Sequence, residues 1–312
     1  TRTSELVTDA FPDYWRKMPS VKRVIMRSIP DETTRAAAVK SGEVDMALLF
    51  GGPVAEDLKR SPGMRIQAPL LYGVYWLDFL DQWDPKSPWH DKRVRQAASL
   101  AIDRNAINQA EMLGLGKATS AFVPPEFEFS MKFETTPFDP KRAKQLLAEA
   151  GFANGFDAGD ITPLPPYTTL GETVSGMLQA IGIKSRVRTM ERATFLTTWR
   201  EKKLRGLLIG ATGAAGNAAA RIEPFFTKTG FYAYGSLPQI DELFQSQARE
   251  TDRKRREAQL HQIQQIVHDQ VLAAPIFQQG FLCAVGARVA ESSLGLIQGF
   301  PYAGPAEELR LK

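Results

Sequence analysis

The sequence predicts an α/β protein built as two lobes. Three observations point there: a length of 312 residues, a strand–helix–strand succession between Val21 and Leu80, and continued alternation of helix and strand beyond a Pro-rich crossover. A chain of this size buries roughly three quarters of its extended surface. It is long for one core and short for three domains. With 43% hydrophobic and 24% charged residues it is a folded chain, and its 24 glycines and 20 prolines supply many turns.

The elements follow in order. Val21–Ile29 (VKRVIMRSI) is a β-rich run. ETTRAAAVKSG reads as a helix with Asp31 as its cap and Gly42 as its stop. EVDMALLF returns to strand, and Pro53–Arg60 forms another helix. Met64–Leu80 is rich in strand formers, interrupted at Pro69 and Gly73. DQWDPKSPWHD is the crossover. DKRVRQAASLAIDRN then places Val94, Ala98, Ala101 and Ile102 along one side of a helix capped by Asp91.

FDPKRAKQLLAEAGF is the clearest helix: Asp139 caps it, Pro140 takes the first turn, Ala143, Leu146, Leu147 and Ala150 form the apolar face, and Gly151 ends it. ETVSGMLQAIGIKSRVRTM is a helix to Ile181, a turn at Gly182, then a strand. DRKRREAQLHQIQQIVHDQ puts Leu260, Ile263 and Val267 on one face. Gly206–Phe226 reads differently, as a strand end followed by a glycine- and alanine-rich loop with Asn217, Arg221 and Glu223 as its polar points. Such a loop is where a binding site is expected.

Formal charge is +4, from 39 Lys and Arg against 35 Asp and Glu, spread from end to end. The densest run, Arg249–Arg256 (RETDRKRR), contains Glu250 and Asp252 and reads as a solvated helix face. Without interleaved aromatics it gives no reason to expect nucleic acid as a partner. Cys283 is the only cysteine, so no internal disulfide is possible, and its apolar setting makes it a small buried side chain. No window approaches the roughly 18 apolar residues that span a membrane. The start, TRTSELV, suggests a removed targeting segment or a fragment.

Catalytic patterns are missing. TLGETVSGMLQ holds no G-x-S-x-G elbow, and GATGAAG has neither dinucleotide spacing nor the Lys and Ser/Thr of a phosphate loop. His90, His261 and His268 form no zinc pattern with a lone cysteine. No cofactor, metal site or catalytic residue is expected. Large aromatics bracket loops instead: Trp76, Trp83 and Trp89 flank the crossover, and Tyr232 and Tyr234 follow the Arg221 loop. That mixture suits an apolar cleft with a few directed polar groups.

At DKRVRQAASLAIDRNAI the sequence resembles the family-5 extracellular solute-binding proteins, the peptide, nickel and opine receptors of ATP-driven (ABC) importers. FPDYWRKMPSVKRV, IPDETTRAAAVKSGEVDMALL, FDPKRAKQLLAEAGF and REAQLHQIQQIVHDQVLAAPIF agree in the same order, so the likeness runs from about Pro12 to Pro275. It implies a two-lobed, periplasmic-binding-protein-like α/β fold of the class with an extra domain. The N-terminal part of the first lobe and that extra domain would be absent here.

On that basis residues 1–82 are the C-terminal part of the first lobe segment, 83–270 the second large lobe, and 271–312 a return through the hinge. The resemblance also implies that Arg93, Arg95, Asp103 and Arg104 are structural. The implied function is capture of a small solute between closing lobes, outside the cytoplasmic membrane, for delivery to a permease. An enzyme or sensor on the same scaffold, or a chaperone-like binder of extended polypeptides, are the alternatives. A companion polypeptide could carry the absent N-terminal part.

One departure from the family matters. Peptide-binding relatives place an aspartate just before the segment matching RIEPFF, where it meets the ligand's amino terminus. Here that position is Ala220, with Asn217 where a tryptophan stands and Arg221 alongside. A guanidinium pairs with carboxylate or phosphate, so an anionic group on the solute is expected. The expected ligand contacts are Trp76, Asn217, Arg221, Tyr234 and Gln278.

Overall fold

The computed structural model describes residues 4–213 and 216–312. Ala214 and Ala215, in the middle of the GATGAAG stretch, lie outside the described residues. The chain divides into two compact units: residues 1–71, 108–117 and 279–312 form one, and residues 72–107 and 118–278 form the other.

The first unit begins with two strands, β1 (Glu5–Asp9) and β2 (Arg23–Arg27), paired antiparallel with Glu5 opposite Arg27 and Asp9 opposite Arg23. Helix α1 (Glu32–Ser41) follows. The Asp31 carboxylate accepts from the Thr34 N–H at 2.7 Å, and Gly42 ends the helix at φ 77°, a left-handed angle that a Cβ would oppose. Hydrogen bonds from Thr33 and Thr34 hold Asp31 down at a pKa of about 2. Next come β3 (Met46–Leu48), α2 (Gly52–Arg60) and β4 (Arg65–Gln67).

Strand β5 (Leu70–Phe79) carries the chain into the second unit and leads to α3 (Lys92–Leu100) and α4 (Arg104–Met112), whose residues 108–112 return to the first unit. The predicted single run from Asp91 is therefore two helices. Ala101 closes the first, and the Asp103 side chain accepts from the Ala106 N–H to start the second. The short β6 (Lys117–Ala118) precedes α5 (Pro140–Glu149), where Asp139 accepts from the Arg142 N–H at 2.8 Å. Then follow β7 (Phe156–Pro163), α6 (Thr168–Ala180), β8 (Ile183–Val187), α7 (Arg192–Arg200) and β9 (Leu207–Thr212).

Beyond β9 the structure corrects the loop expectation, because Ala218–Phe226 is helix α8. Alanine is the best helix former, and Asn217 caps the run by accepting from Ala220. The glycines before it and Pro224 inside it masked that signal. Helices α9 (Pro238–Arg249) and α10 (Arg253–Asp269) and strands β10 (Ala273–Gly280), β11 (Cys283–Val285), β12 (Val289–Glu291) and β13 (Arg310–Leu311) complete the chain.

The main sheet is mixed, in the order β6-β10-β5-β9-β7-β8. Strand β7 runs parallel to β8 and β9, and β5 runs antiparallel to β9. A smaller sheet places β11 between β3 and β4, antiparallel to both. Trp76, Phe122, Trp199, Ile222 and Leu260 belong to the core of the second unit, and Val39, Phe50, Leu58 and Leu282 to that of the first.

The arginines of α3 and α4 separate by role. Arg93 is half-exposed and pairs with its own cap, Asp91, at 2.6 Å. Arg95 is buried and donates to the carbonyls of Trp89, His90, Gln270 and Val271. Arg104, also buried, donates to the Ser99 and Pro275 carbonyls and to the Ser99 hydroxyl. The two buried guanidiniums, of Arg95 and Arg104, tie their helices to the region around β10.

Candidate functional site

Helix α8 meets a tight loop, Pro124–Ser130 (PPEFEFS). Two prolines remove backbone donors, and the loop closes on itself: Phe127 N–H donates to the Pro124 carbonyl at 3.0 Å and Ser130 N–H to that of Phe127 at 3.1 Å. Phe129 sits at φ 63° with its ring buried, beneath the guanidiniums of Arg253 and Arg256 at 5.0 and 5.6 Å. The Gln264 amide holds the Phe129 carbonyl at 2.8 Å. This rigid turn fixes Glu126, Phe127 and Glu128 in place.

The loop docks on the start of α8, where the Ala218 N–H donates to the Glu128 carbonyl at 2.9 Å and Asn217 bridges Glu128. One turn on, Arg221 is only 2% exposed. Its guanidinium lies 5.1 Å from the Phe127 ring centre and donates to the Tyr72 carbonyl at 2.7 Å. Tyr72 meets Phe127 edge-on at 5.3 Å. Burial lowers Arg221 to a pKa of about 9, so it remains a cation at neutral pH. On β10, the buried Gln278 donates to the Glu126 carboxylate at 2.9 Å.

Three of the five expected contacts thus converge on one loop: Asn217 through Glu128, Arg221 through Phe127, and Gln278 through Glu126. The other two lie elsewhere. Trp76 is fully buried in an aromatic cluster, with Phe122 at 4.7 Å and Phe225 at 5.1 Å, and its indole N–H serves Asp78. Tyr234 is half-buried, its hydroxyl accepting from the Leu204 N–H at 3.1 Å, and burial pushes it up to about 12.

Sequence reading missed Tyr72, Glu126 and Phe127. The signal available was PPEFEF, a proline-stiffened turn carrying alternating acid and aromatic groups. Chemically the arrangement offers a cation on an aromatic face and a half-buried carboxylate, held by backbone that is already satisfied.

Residues 1–233 match the bacterial extracellular solute-binding proteins, family 5 Middle. The chain belongs to this family. It is 27% identical over 278 residues to the heme-binding protein A of Haemophilus influenzae, covering 86% of this chain and 50% of that protein. It is 25% identical over 286 residues to the dipeptide-binding protein of Escherichia coli K12, covering 87% of this chain and 52% of that one. The chain therefore spans about half the length of the curated relatives it matches. Its fold is shared with the ABC transporter substrate-binding protein CtaP from Listeria monocytogenes, at a TM-score of 0.84 and 17% identity, covering 100% of this chain and 65% of that chain.

Proposed function

We propose that this chain is part of the substrate-binding component of a bacterial ABC importer, and that it takes a small, peptide-like solute carrying an anionic group. Family membership supports the binding role, and relatives named for binding haem and dipeptides show the range of solutes that such proteins hold. The observation that carries the anionic reading is Arg221, a buried cation on the Phe127 face, one residue after Ala220, the position where the resemblance implies an aspartate that meets a peptide's ammonium. Tyr72, Asn217, Glu126 and Gln278 would frame the solute, and a membrane permease would receive it.

The test is calorimetric titration with two capped dipeptides. An N-acetyl dipeptide with a free carboxylate should bind, and Arg221→Ala should weaken it by about tenfold or more, the worth of one charge-assisted contact. A free-amine, C-amidated dipeptide that binds tightly to both proteins would refute the anionic reading.

We also propose that further polypeptide, in the same chain or a companion, covers the β1–β2 ribbon. Leu6, Val7, Ile25 and Met26 on the ribbon are 46–57% exposed and Trp15 beside it is 83% exposed. A two-stranded ribbon with bare apolar residues is marginal by itself. Native mass spectrometry of purified material should show a mass larger than 34.6 kDa; a stable, monodisperse species of that mass alone would overturn the idea.

A further inference from the structure

The second unit contains a cavity of about 510 Å³ whose lining includes neither Arg221 nor the Pro124–Ser130 loop. Its floor is apolar: Phe122, Val123, Ile222, Phe226 and Val267 are all buried, and Leu146 closes one side. This volume lies in the range of small-molecule sites.

The polar side chains of its walls are already engaged with protein. Ser99 accepts from Arg104, Ser120 donates to Thr136, and the Gln264 amide bonds both Met131 and Phe129. They ask nothing of a ligand. At the mouth, Arg142 is paired with Glu149 at 2.7 Å, and the His268 ring stacks on Phe133 at 4.2 Å with its Nδ1 3.2 Å from Asp269.

Lys92 differs. It lines the cavity and, among the described residues, has neither an ion-pair nor a hydrogen-bond partner. Gln96 is four residues on, hence on the same face of α3, and is equally unengaged. Both are half-buried. With Ser99 and Leu100 they make one helical stripe, polar at the mouth and apolar inward.

We propose that this cavity is a second small-molecule site, for an amphipathic monoanion: an alkyl chain of medium length on the apolar floor and a carboxylate on Lys92 and Gln96. Charge complementarity selects the anion, and the satisfied walls select a hydrocarbon tail over a polar one. Helix α8 supplies both Ile222 to this floor and Arg221 to the other site, so an occupant here packs against the element that carries Arg221.

Calorimetric titration of the full chain with sodium decanoate tests this, with 1-decanol as the neutral counterpart. Saturable binding of one decanoate is expected. Lys92→Met should weaken decanoate about tenfold and leave decanol within about twofold, since only the head group loses its partner. Val267→Trp, which fills the floor, should abolish both. Should that variant misfold, hydrogen exchange on the unaltered protein locates the ligand, with decanoate protecting amides in 92–100 and 264–273. The proposal is overturned by absent or unsaturable binding, by equal decanoate affinity in Lys92→Met, or by protection elsewhere.

Discussion

Replacing Arg95 with methionine isolates what a buried cation contributes to this fold. Its guanidinium reaches four carbonyls, those of Trp89 at 2.7 Å, His90 at 2.9 Å, Gln270 at 2.7 Å and Val271 at 3.1 Å. Hydrogen bonds from a charged donor contribute about 1.5 kcal/mol each at the low end, so roughly 6 kcal/mol is removed. Against that, burial lowers Arg95 from 12.5 to about 10, and relief of this desolvation returns about 3 kcal/mol. The net loss is about 3 kcal/mol.

Methionine matches the length of the stem but donates nothing. Val271, held at φ 48° although it is β-branched, also loses one of its restraints. Native-state hydrogen exchange should show protection in 92–100 and 268–274 falling about 150-fold, with smaller changes in residues 32–60 of the other unit. Arg95→Lys should recover little, because one ammonium cannot span two pairs of carbonyls. Protection within about fivefold of the unaltered protein would refute the reasoning.

Other outcomes follow from the same structure. Burial pushes Asp78 up from 3.8 to about 7, outweighing the Trp76 indole and Phe79 backbone N–H groups that favour its ionised form. An acid whose folded pKa is raised costs stability once ionised, so stability should fall as pH rises from about 4 to 7. Asp78→Asn should flatten that slope and add on the order of 1–2 kcal/mol at pH 8 in urea titrations, a discounted value because Asp78 is partly exposed. Gly52→Ala would set a Cβ 1.9 Å from the Ala110 carbonyl oxygen; loss of about 3 kcal/mol is expected in the first unit, and an unchanged melting profile would contradict the packing. Cys283 is buried and its thiol is pushed up to about 12 by burial, so a thiol reagent at pH 8 should react only on unfolding. Rapid labelling of the native protein would disprove that setting.

Much of this fold was written locally. Asp31, Asp91 and Asp139 sit before apolar-striped runs, and each accepts a backbone N–H at a helix start. Capping and periodicity act within a few residues, so linear order reveals them. Helix α8 escaped because its two cues conflict, alanines and an Asn cap against flanking glycines and Pro224. Residues 108–117 join the first unit although both flanks belong to the second, and no local pattern encodes that.

The candidate site divides along the same line. The sequence by itself identified the family resemblance, the α/β class, the absence of catalytic motifs, and Arg221 as a cation beside Ala220, where the resemblance implied an acid. Only the tertiary structure decided what surrounds Arg221. Tyr72 lies 149 positions away along the chain, and Gln278 reaches Glu126 across 152. Trp76 and Tyr234 have the chemistry of contact residues, yet packing places one among core rings and the other on the Leu204 backbone. Side-chain chemistry belongs to the residue; neighbourhood is fixed by whichever distant segments bury it, and burial is a property of the whole folded chain.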